Sequence, residues 1–189
     1  MITAADIGII VLAAGSANRF GSDKRQAVLG NGLTVLEATL ASVPASITRR
    51  ILVLKAGDGE LKQRFQTHWR ICNADNPQSG MANSLSCGIA MAGDWGGALI
   101  ALGDMPYIRA ETFTRLQHAL AAHAIVVPTC DGNRGNPAGF RRQYFAEMGN
   151  LAGDRGARSL LQKYAAECCE IETGDKGVLR DIDYPEGLT

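Results

Sequence analysis

Short apolar runs alternate with amphipathic stretches along the chain, and this pattern predicts its secondary structure. Continuous apolar runs predict buried strands at Gly8–Ala13, Arg50–Leu54, Arg70–Asn73, Ala98–Leu102, Ala124–Pro128 and Cys169–Glu172. Apolar residues at helical spacing predict helices at Thr34–Ser42, Leu61–His68, Met81–Met91, Ala110–Ala122 and Ala157–Glu167. Because strand and helix take turns, we expect an α/β fold in which helices cover both faces of a largely parallel sheet.

The pattern runs without an internal repeat, a low-complexity tract or a linker, so we expect residues 1–189 to form a single domain. With 46% hydrophobic residues, a chain of this length can bury a proper core. The first apolar run, from Ile7 to Ala14, is far too short to cross a bilayer and lacks a basic flank. We therefore expect neither a membrane anchor nor a membrane partner.

Overall charge and cysteine content narrow the classes of partner and compartment. The chain carries 19 Lys and Arg against 19 Asp and Glu, so no global basic field favours nucleic acid as a partner. Its five cysteines contain no CxxC pair, and their odd number indicates neither a zinc site nor a disulfide framework. This cysteine usage fits a reducing compartment best, and we expect a cytoplasmic protein.

The stretch LAAGSANRFGSDK, Leu12–Lys24, follows the first predicted strand with small residues in place of bulky ones. Ligands of parallel α/β sheets bind beyond the carboxyl ends of the strands, where small side chains let backbone N–H groups approach an anion. Arg19 and Lys24 would add formal positive charge for phosphate groups. The stretch contains neither GxxxxGK[ST] nor GxGxxG, so an ordinary glycine- and serine-rich turn with two solvated cations is the alternative.

Acidic residues follow a second strand and recur near the C-terminus. The stretch ALIALGDMP places Asp104 at the end of a predicted strand, at the same edge of the sheet as the small-residue loop. A carboxylate beside phosphates suits Mg²⁺, although an Asp that only starts a turn before Pro106 is equally ordinary. Asp181 and Asp183 are two residues apart and share a face if extended, so one of them is a candidate second ligand.

Six stretches occur in the order and at the spacing of one known family. They are LAAGSANRFGSDK, NPQSGMANSL, LGDMP, RGNPAGF, LAGDRGAR and DIDYPE. In them the chain resembles the MobA-like nucleotidyltransferase family, most closely its molybdenum cofactor cytidylyltransferase branch, over nearly its whole length. The resemblance implies a three-layer sandwich around a mostly parallel, Rossmann-like sheet of the nucleotide-diphospho-sugar transferase type.

The resemblance also assigns roles to individual residues. The implied nucleotide-binding positions are Leu12, Ala13, Ala14, Gly15, Asn76, Gly80, Met81 and Ser84. Arg19, Lys24 and Asp104 would be catalytic, and Asp104 and Asp183 would hold Mg²⁺, with Asp181 in support. Ala14 stands in LAAG, where guanylyl relatives carry LAGG, so CTP is favoured as the nucleotide. Without the resemblance, NPQSGMANSL also fits a plain capped helix.

The acceptor-binding positions that the resemblance implies are Asn136, Pro137, Asp154 and Arg158. Two stretches depart from the pattern of the family. Asn136 replaces the histidine of the common GHP sequence, and asparagine does not titrate near neutral pH. Arg25 follows Lys24 where leucines are usual, which bears on how the loop is positioned. From the residues alone, Asp154 also fits an N-cap and Arg158 a solvated surface cation.

The function implied by the resemblance is a Mg²⁺-dependent transfer of CMP from CTP to the terminal phosphate of a molybdopterin-type cofactor, with release of pyrophosphate. The partners would be the NTP, the phosphate-bearing acceptor and a molybdoenzyme or its chaperone that receives the product. Three alternatives stay open from sequence: a guanylyltransferase, a sugar-phosphate nucleotidyltransferase on the same fold, and a catalytically inactive module that binds the nucleotide or the cofactor.

Overall fold

The computed structural model describes residues 2–15, 23–74, 80–153 and 156–183, and these fold around one mixed β-sheet. The strands are β1 (Ile7–Leu12), β2 (Arg50–Lys55), β3 (Arg70–Ala74), β4 (Gly97–Leu102), β5 (Ile125–Cys130), β6 (Asn133–Arg134), β7 (Ala138–Arg141) and β8 (Cys168–Glu172). The helices are α1 (Val35–Ala41), α2 (Gly59–Phe65), α3 (Met81–Ala92), α4 (Ala110–Ala122), α5 (Phe145–Gly149) and α6 (Arg158–Lys163).

The sheet is mostly parallel, with antiparallel pairing at β7 and at the edge strand β6, which runs antiparallel to β5. Its strand order is β3-β2-β1-β4-β7-β5-β6, and β8 pairs with β5. Strands β1 to β4 are parallel to one another, β8 is parallel to β5, and β7 runs antiparallel to both β4 and β5. Strand β1 is therefore central, and its end at Leu12 lies in register with Leu102 at the end of β4. The loops that leave these two strands must emerge side by side.

Helices pack on both faces of the sheet, which confirms the three-layer α/β expectation. Ile9 and Val11 of β1 face one core, whereas Ile10 and Leu12 face the other, as the alternation of side chains along a strand requires. The first core contains residues of α1, α2 and α4: Leu36, Leu40, Leu61, Phe113, Leu116 and Leu120. The second contains residues of α3, α5 and α6: Leu85, Ile89, Phe145, Met148 and Leu160. Burial on both faces explains why β1 is a continuous apolar run.

All six predicted strands are present, with ends that differ by at most two residues from the prediction. Helix α4 has the predicted bounds, while α2 ends at Phe65 instead of His68, and a 3-10 turn at Ala165–Glu167 follows the shortened α6. Strands β6 and β7 and helix α5 were not predicted. Within the described ranges, no helix combines the length and the apolar character that a membrane span needs.

The expectation about cysteines is wrong at one pair. A disulfide joins Cys72 of β3 to Cys87 of α3, whose Cα atoms are 6.5 Å apart. It forms because α3 packs over β3, a contact that cysteine counting does not register. Cys130, Cys168 and Cys169 are free thiols. Cysteine usage therefore no longer supports a reducing compartment, and the cytoplasmic location stays a prediction without that argument.

Reduction of this disulfide is expected to lower the free energy of unfolding by about 3 kcal/mol, because the crosslink closes a loop of 15 residues. Urea unfolding with and without dithiothreitol measures the difference. Cys87→Ala, in the half-buried position of the pair, should unfold at the midpoint of the reduced protein and should not respond to the reductant. An unchanged midpoint of the unmodified protein on reduction would contradict a stabilising role.

Candidate active site

Two loops meet where β1 and β4 end, and small residues make their close approach possible. The amide of Gly103 donates a hydrogen bond to the carbonyl of Leu12 at 2.9 Å. A Cβ atom on Gly103 would lie 2.8 Å from the Cβ of Ala13 and 3.2 Å from the carbonyl oxygen of Leu12, so a larger residue would push the loops apart. The backbone of 13–15 and the side chain of Asp104 are thereby held at one edge of the sheet.

Lys24 bridges two carboxylates at this edge. Its ammonium group donates to Oδ2 of Asp104 at 2.6 Å and to Oδ1 of Asp183 at 3.1 Å. Burial would lower the pKa of Lys24, but the hydrogen bonds and negative charges of Asp104 and Asp183 outweigh that effect and raise it. The Lys24 side chain, 19% exposed, is thus a fixed positive charge in a partly enclosed site.

The acidic residues of this edge fit a divalent cation. Asp104, Asp181 and Asp183 each offer a carboxylate oxygen, and these oxygens all lie within 4.8 Å of one another. Oδ1 of Asp104, the oxygen that does not accept from Lys24, is buried and has no hydrogen-bond partner among the described residues. Burial and the nearby charges of Asp183 and Asp104 raise the pKa of Asp181, as expected where negative charges crowd together. Oxygen ligands of this kind suit Mg²⁺ or Mn²⁺.

A buried aspartate positions the segment that carries Asp181 and Asp183. Asp175, which is 3% exposed, accepts hydrogen bonds from the Thr112 hydroxyl at 2.6 Å, the Arg109 amide at 2.9 Å and the Gly177 amide at 3.0 Å. These bonds fasten residues 175–177 to the start of α4. A side chain at Gly177 would collide with the carbonyl of Tyr107, so the segment passes there only because the residue is glycine.

The end of the same segment is fixed by Ile182. Its side chain is fully buried among Leu29, Val35 and Ala38, and its amide donates to the carbonyl of Asp104 at 2.9 Å. Asp181 and Asp183 flank this anchor, and the cluster oxygens of both residues approach that of Asp104. The sequence suggested that one of Asp181 and Asp183 joins Asp104. In the structure, both of them do.

Arg25 is a structural residue whose partners could not be identified from the sequence. Its guanidinium, 4% exposed, donates to Asp58 at 2.5 and 2.9 Å and to Asp23 at 2.6 and 2.8 Å. It also donates to the carbonyl of Ala13 at 2.7 Å. Hydrogen bonds from Arg25 lower the pKa of Asp23 to about 2. The residue that departs from the family pattern therefore ties the return of the loop, and with it Lys24, to the end of β1.

One cavity of about 530 Å³ gathers most of the predicted nucleotide site. Its walls include the predicted residues Leu12, Ala13, Ala14, Gly15, Lys24, Gly80, Met81, Ser84, Asp104 and Asp183. Asp181 and Arg25 line it as well. Arg19, Asn76 and Asp154 lie outside the described residues. The first turn of α3, at Met81–Ser84, thus faces the loop after β1 across the cavity, as a nucleotide enclosed between them would require.

A second cavity of about 690 Å³ adjoins the first, since Leu12, Met81 and Leu102 line both. Two of the predicted acceptor residues, Asn136 and Arg158, lie in its wall, whereas Pro137 is buried and is not among the lining residues. Arg134 adds a second arginine, held by Glu170 at 2.7 Å. Sequence reasoning missed Arg134, although a cation two residues before Asn136 in RGNPAGF is a usable signal. The remaining walls are mostly apolar.

Residues 9–168 match the model of a family described as the MobA-like NTP transferase domain. Among curated proteins, the bifunctional protein GlmU of Jannaschia sp. (strain CCS1) is 29% identical in an alignment of 126 residues that covers 64% of this chain. The chain spans 28% of the length of that relative, so the similarity concerns a part of it.

Solved structures show the same fold. Rv0371c from Mycobacterium tuberculosis H37Rv superposes with a TM-score of 0.82 at 26% identity, over 99% of this chain and 96% of that one. A manganese complex of the same protein gives 0.74 at 24% identity and 88% of each chain. Molybdopterin-guanine dinucleotide biosynthesis protein A from Archaeoglobus fulgidus gives 0.68 at 16% identity, over 96% of this chain and 94% of that one.

Asp58→Asn is expected to lower the free energy of unfolding by about 3 kcal/mol, because it leaves the buried Arg25 guanidinium with one charged partner fewer. Chemical denaturation followed by circular dichroism measures the change. Asp94→Asn is the matched control, since the Asp94 side chain is 84% exposed and pairs with Arg49 at 3.4 Å. Equal stability of the two variants would show that the Arg25 ion pairs do not hold the loop.

Proposed function

Because the chain belongs to the MobA-like NTP transferase domain family, we propose that it transfers a nucleoside monophosphate from an NTP to a phosphate-bearing acceptor and releases pyrophosphate. One observation carries the proposal: Lys24, Asp104 and Asp183 meet in a cavity bounded by the backbone of 12–15 and the first turn of α3. This cavity opens beside a second one that contains Arg134 and Arg158. Two adjoining compartments with cations in each suit two phosphate-bearing substrates.

Nucleotidyl transfer to a phosphate oxygen depends more on positioning and charge neutralisation than on proton transfer. The attacking atom is a phosphate oxygen of the acceptor, which is already an anion, so the reaction needs neither a strong base nor a covalent enzyme intermediate. Lys24 is placed to balance charge on the phosphates of the NTP, and residues 13–15, which follow β1, line the same cavity. Arg19 would add a second cation. Arg134 and Arg158 are candidates to hold the phosphate of the acceptor.

Asp104 and Asp183 would hold the metal ion, with Asp181 close enough to support them. We propose Mg²⁺, because hard carboxylate oxygens beside phosphates are its usual environment in proteins. When bound, such an ion neutralises charge on the phosphate oxygens of the NTP and orients them. The crystallised manganese complex of the mycobacterial protein fits a divalent metal in this fold.

The finer assignment is CTP as the nucleotide and a molybdopterin-type cofactor as the acceptor, with a molybdoenzyme or its chaperone as the receiver of the product. Ala14, the residue that favours CTP, is 1% exposed and lies in the wall of the nucleotide cavity. Asn136, which replaces the usual histidine, lies in the wall of the acceptor cavity and can both donate and accept hydrogen bonds without titrating. We propose that residues 1–189 act as one domain in this reaction.

Asp104→Ala should reduce pyrophosphate release from CTP, Mg²⁺ and acceptor by two orders of magnitude or more, since loss of one such contact typically costs about 3 kcal/mol in the transition state. A coupled phosphate assay measures the rate. Asp94→Ala removes an exposed carboxylate of the same charge and should retain the full rate. Near-normal turnover of the Asp104 variant would overturn the proposed role of the acidic cluster.

CTP is expected to raise the melting temperature of the protein in the presence of Mg²⁺ more than GTP does, because a ligand that binds only the folded state stabilises it more the more tightly it binds. Differential scanning fluorimetry at equal nucleotide concentrations compares the two. A larger shift with GTP would reassign the nucleotide and leave the reaction type in place. No shift with any NTP would argue against nucleotide binding altogether.

A further inference from the structure

The ammonium group of Lys24 lies among the carboxylates that a divalent cation would use. It contacts Asp104 at 2.6 Å and Asp183 at 3.1 Å. Both residues belong to the acidic cluster formed by Asp104, Asp181 and Asp183, whose candidate ligand oxygens lie within 4.8 Å of one another. An ammonium group and a metal ion seek the same carboxylate oxygens, so each weakens the binding of the other.

Partial burial strengthens the ion pair between Lys24 and Asp104. The side chains of Lys24 and Asp104 are 19% and 17% exposed, so water screens their attraction only in part. Arg25, the next residue, cannot replace Lys24, because its guanidinium is already engaged by Asp23, Asp58 and the carbonyl of Ala13. Within the described ranges, Lys24 is the cation whose ion pairs reach the acidic cluster.

We propose that Lys24 is the internal counter-ion of the acidic cluster in the nucleotide-free protein, and that it lowers the affinity of the cluster for a free divalent cation. The inference rests on the proposed function, because an NTP supplies the alternative partner that Lys24 needs. Phosphate oxygens of a nucleotide in the same cavity attract the ammonium group, and the flexible lysine stem lets it turn towards them. The substrate of the site is then the metal–NTP complex, not a free ion followed by the NTP.

Charge balance favours the movement of Lys24 from the carboxylates to the phosphates when metal and nucleotide bind together. Without nucleotide, one ammonium group is hydrogen-bonded to Asp104 and Asp183, and Asp181 belongs to the same cluster, so one positive charge stands against three carboxyl groups. A metal–NTP complex presents phosphate anions to Lys24 and a divalent cation to Asp104 and Asp183. Every charge then has a partner of opposite sign, and the higher charge of the metal suits the cluster better than the ammonium group does. Binding of metal and of nucleotide should therefore reinforce each other.

The test is a titration of nucleotide-free protein with Mn²⁺, in which electron paramagnetic resonance counts the free ion. Lys24→Met removes the ammonium group and keeps an unbranched side chain of similar length. We expect it to bind Mn²⁺ at the acidic cluster about tenfold more tightly, or better, than the unmodified protein does. Asp104→Asn in the Lys24→Met background should abolish the gain, which assigns it to the cluster.

Lys55→Met is the matched control. Lys55 lies 4.0 Å from Asp23 and has no ion pair with the acidic cluster, so this variant changes the net charge equally without freeing the carboxylates. Its Mn²⁺ affinity should stay within about twofold of the unmodified protein. Lys24→Arg keeps the positive charge and should bind Mn²⁺ as weakly as the unmodified protein. If thermal unfolding shows that Lys24→Met does not fold, Lys24→Gln takes its place, with the same expectation.

Equal or weaker Mn²⁺ binding by the neutral Lys24 variant would overturn the proposal, and so would an equal gain in Lys55→Met. These titrations contain neither nucleotide nor acceptor, so they are independent of the transfer reaction. Tighter Mn²⁺ binding without pyrophosphate release from any NTP would refute the proposed function and keep the counter-ion. Normal pyrophosphate release by the unmodified protein, together with unchanged Mn²⁺ affinity of the neutral Lys24 variant, would refute the counter-ion role and keep the proposed function.

Discussion

The ion pair of Lys24 with Asp104 and Asp183 is the interaction on which the candidate site depends. It joins residues that are 80 and 159 positions apart in the chain. Three structural devices bring them together: the parallel register of β1 and β4, the Arg25 ion pairs at the return of the first loop, and the Asp175 hydrogen bonds that fasten the C-terminal segment. Opposite charge then holds the three parts at one edge of the sheet.

Most of the fold was predictable because its signals are local. A strand buried on both faces has to be a continuous apolar run, and β1, β2 and β4 are such runs. Strand β7 was not predicted because its sequence, AGFR, is short and lies in a stretch rich in glycine and proline. Its pairing with β4 and β5 depends on space left between those strands: at Gly139, a Cβ atom would meet the side chains of Val126 and Leu99.

Part of the candidate site could likewise be predicted from the sequence, and part of it could not. Asp104 and the loop after β1 could be placed together from sequence, because the carboxyl ends of adjacent parallel strands share an edge. The Arg25 ion pairs could not, since Asp58 belongs to a different crossover and nothing near it in sequence indicates a buried partner. The disulfide escaped for a related reason: Cys72 and Cys87 meet only once α3 has packed against the sheet. Pairings of this kind are properties of packing, not of spacing.

Leu12, Met81 and Leu102 line both cavities and form the wall between them. Because the two cavities share this wall, the specificity for the nucleotide and the specificity for the acceptor are coupled during evolution. A substitution there that enlarges room for one substrate reshapes the compartment of the other. Descendants of this scaffold that adopt a new acceptor must therefore either preserve these three side chains or change their nucleotide preference in the same step.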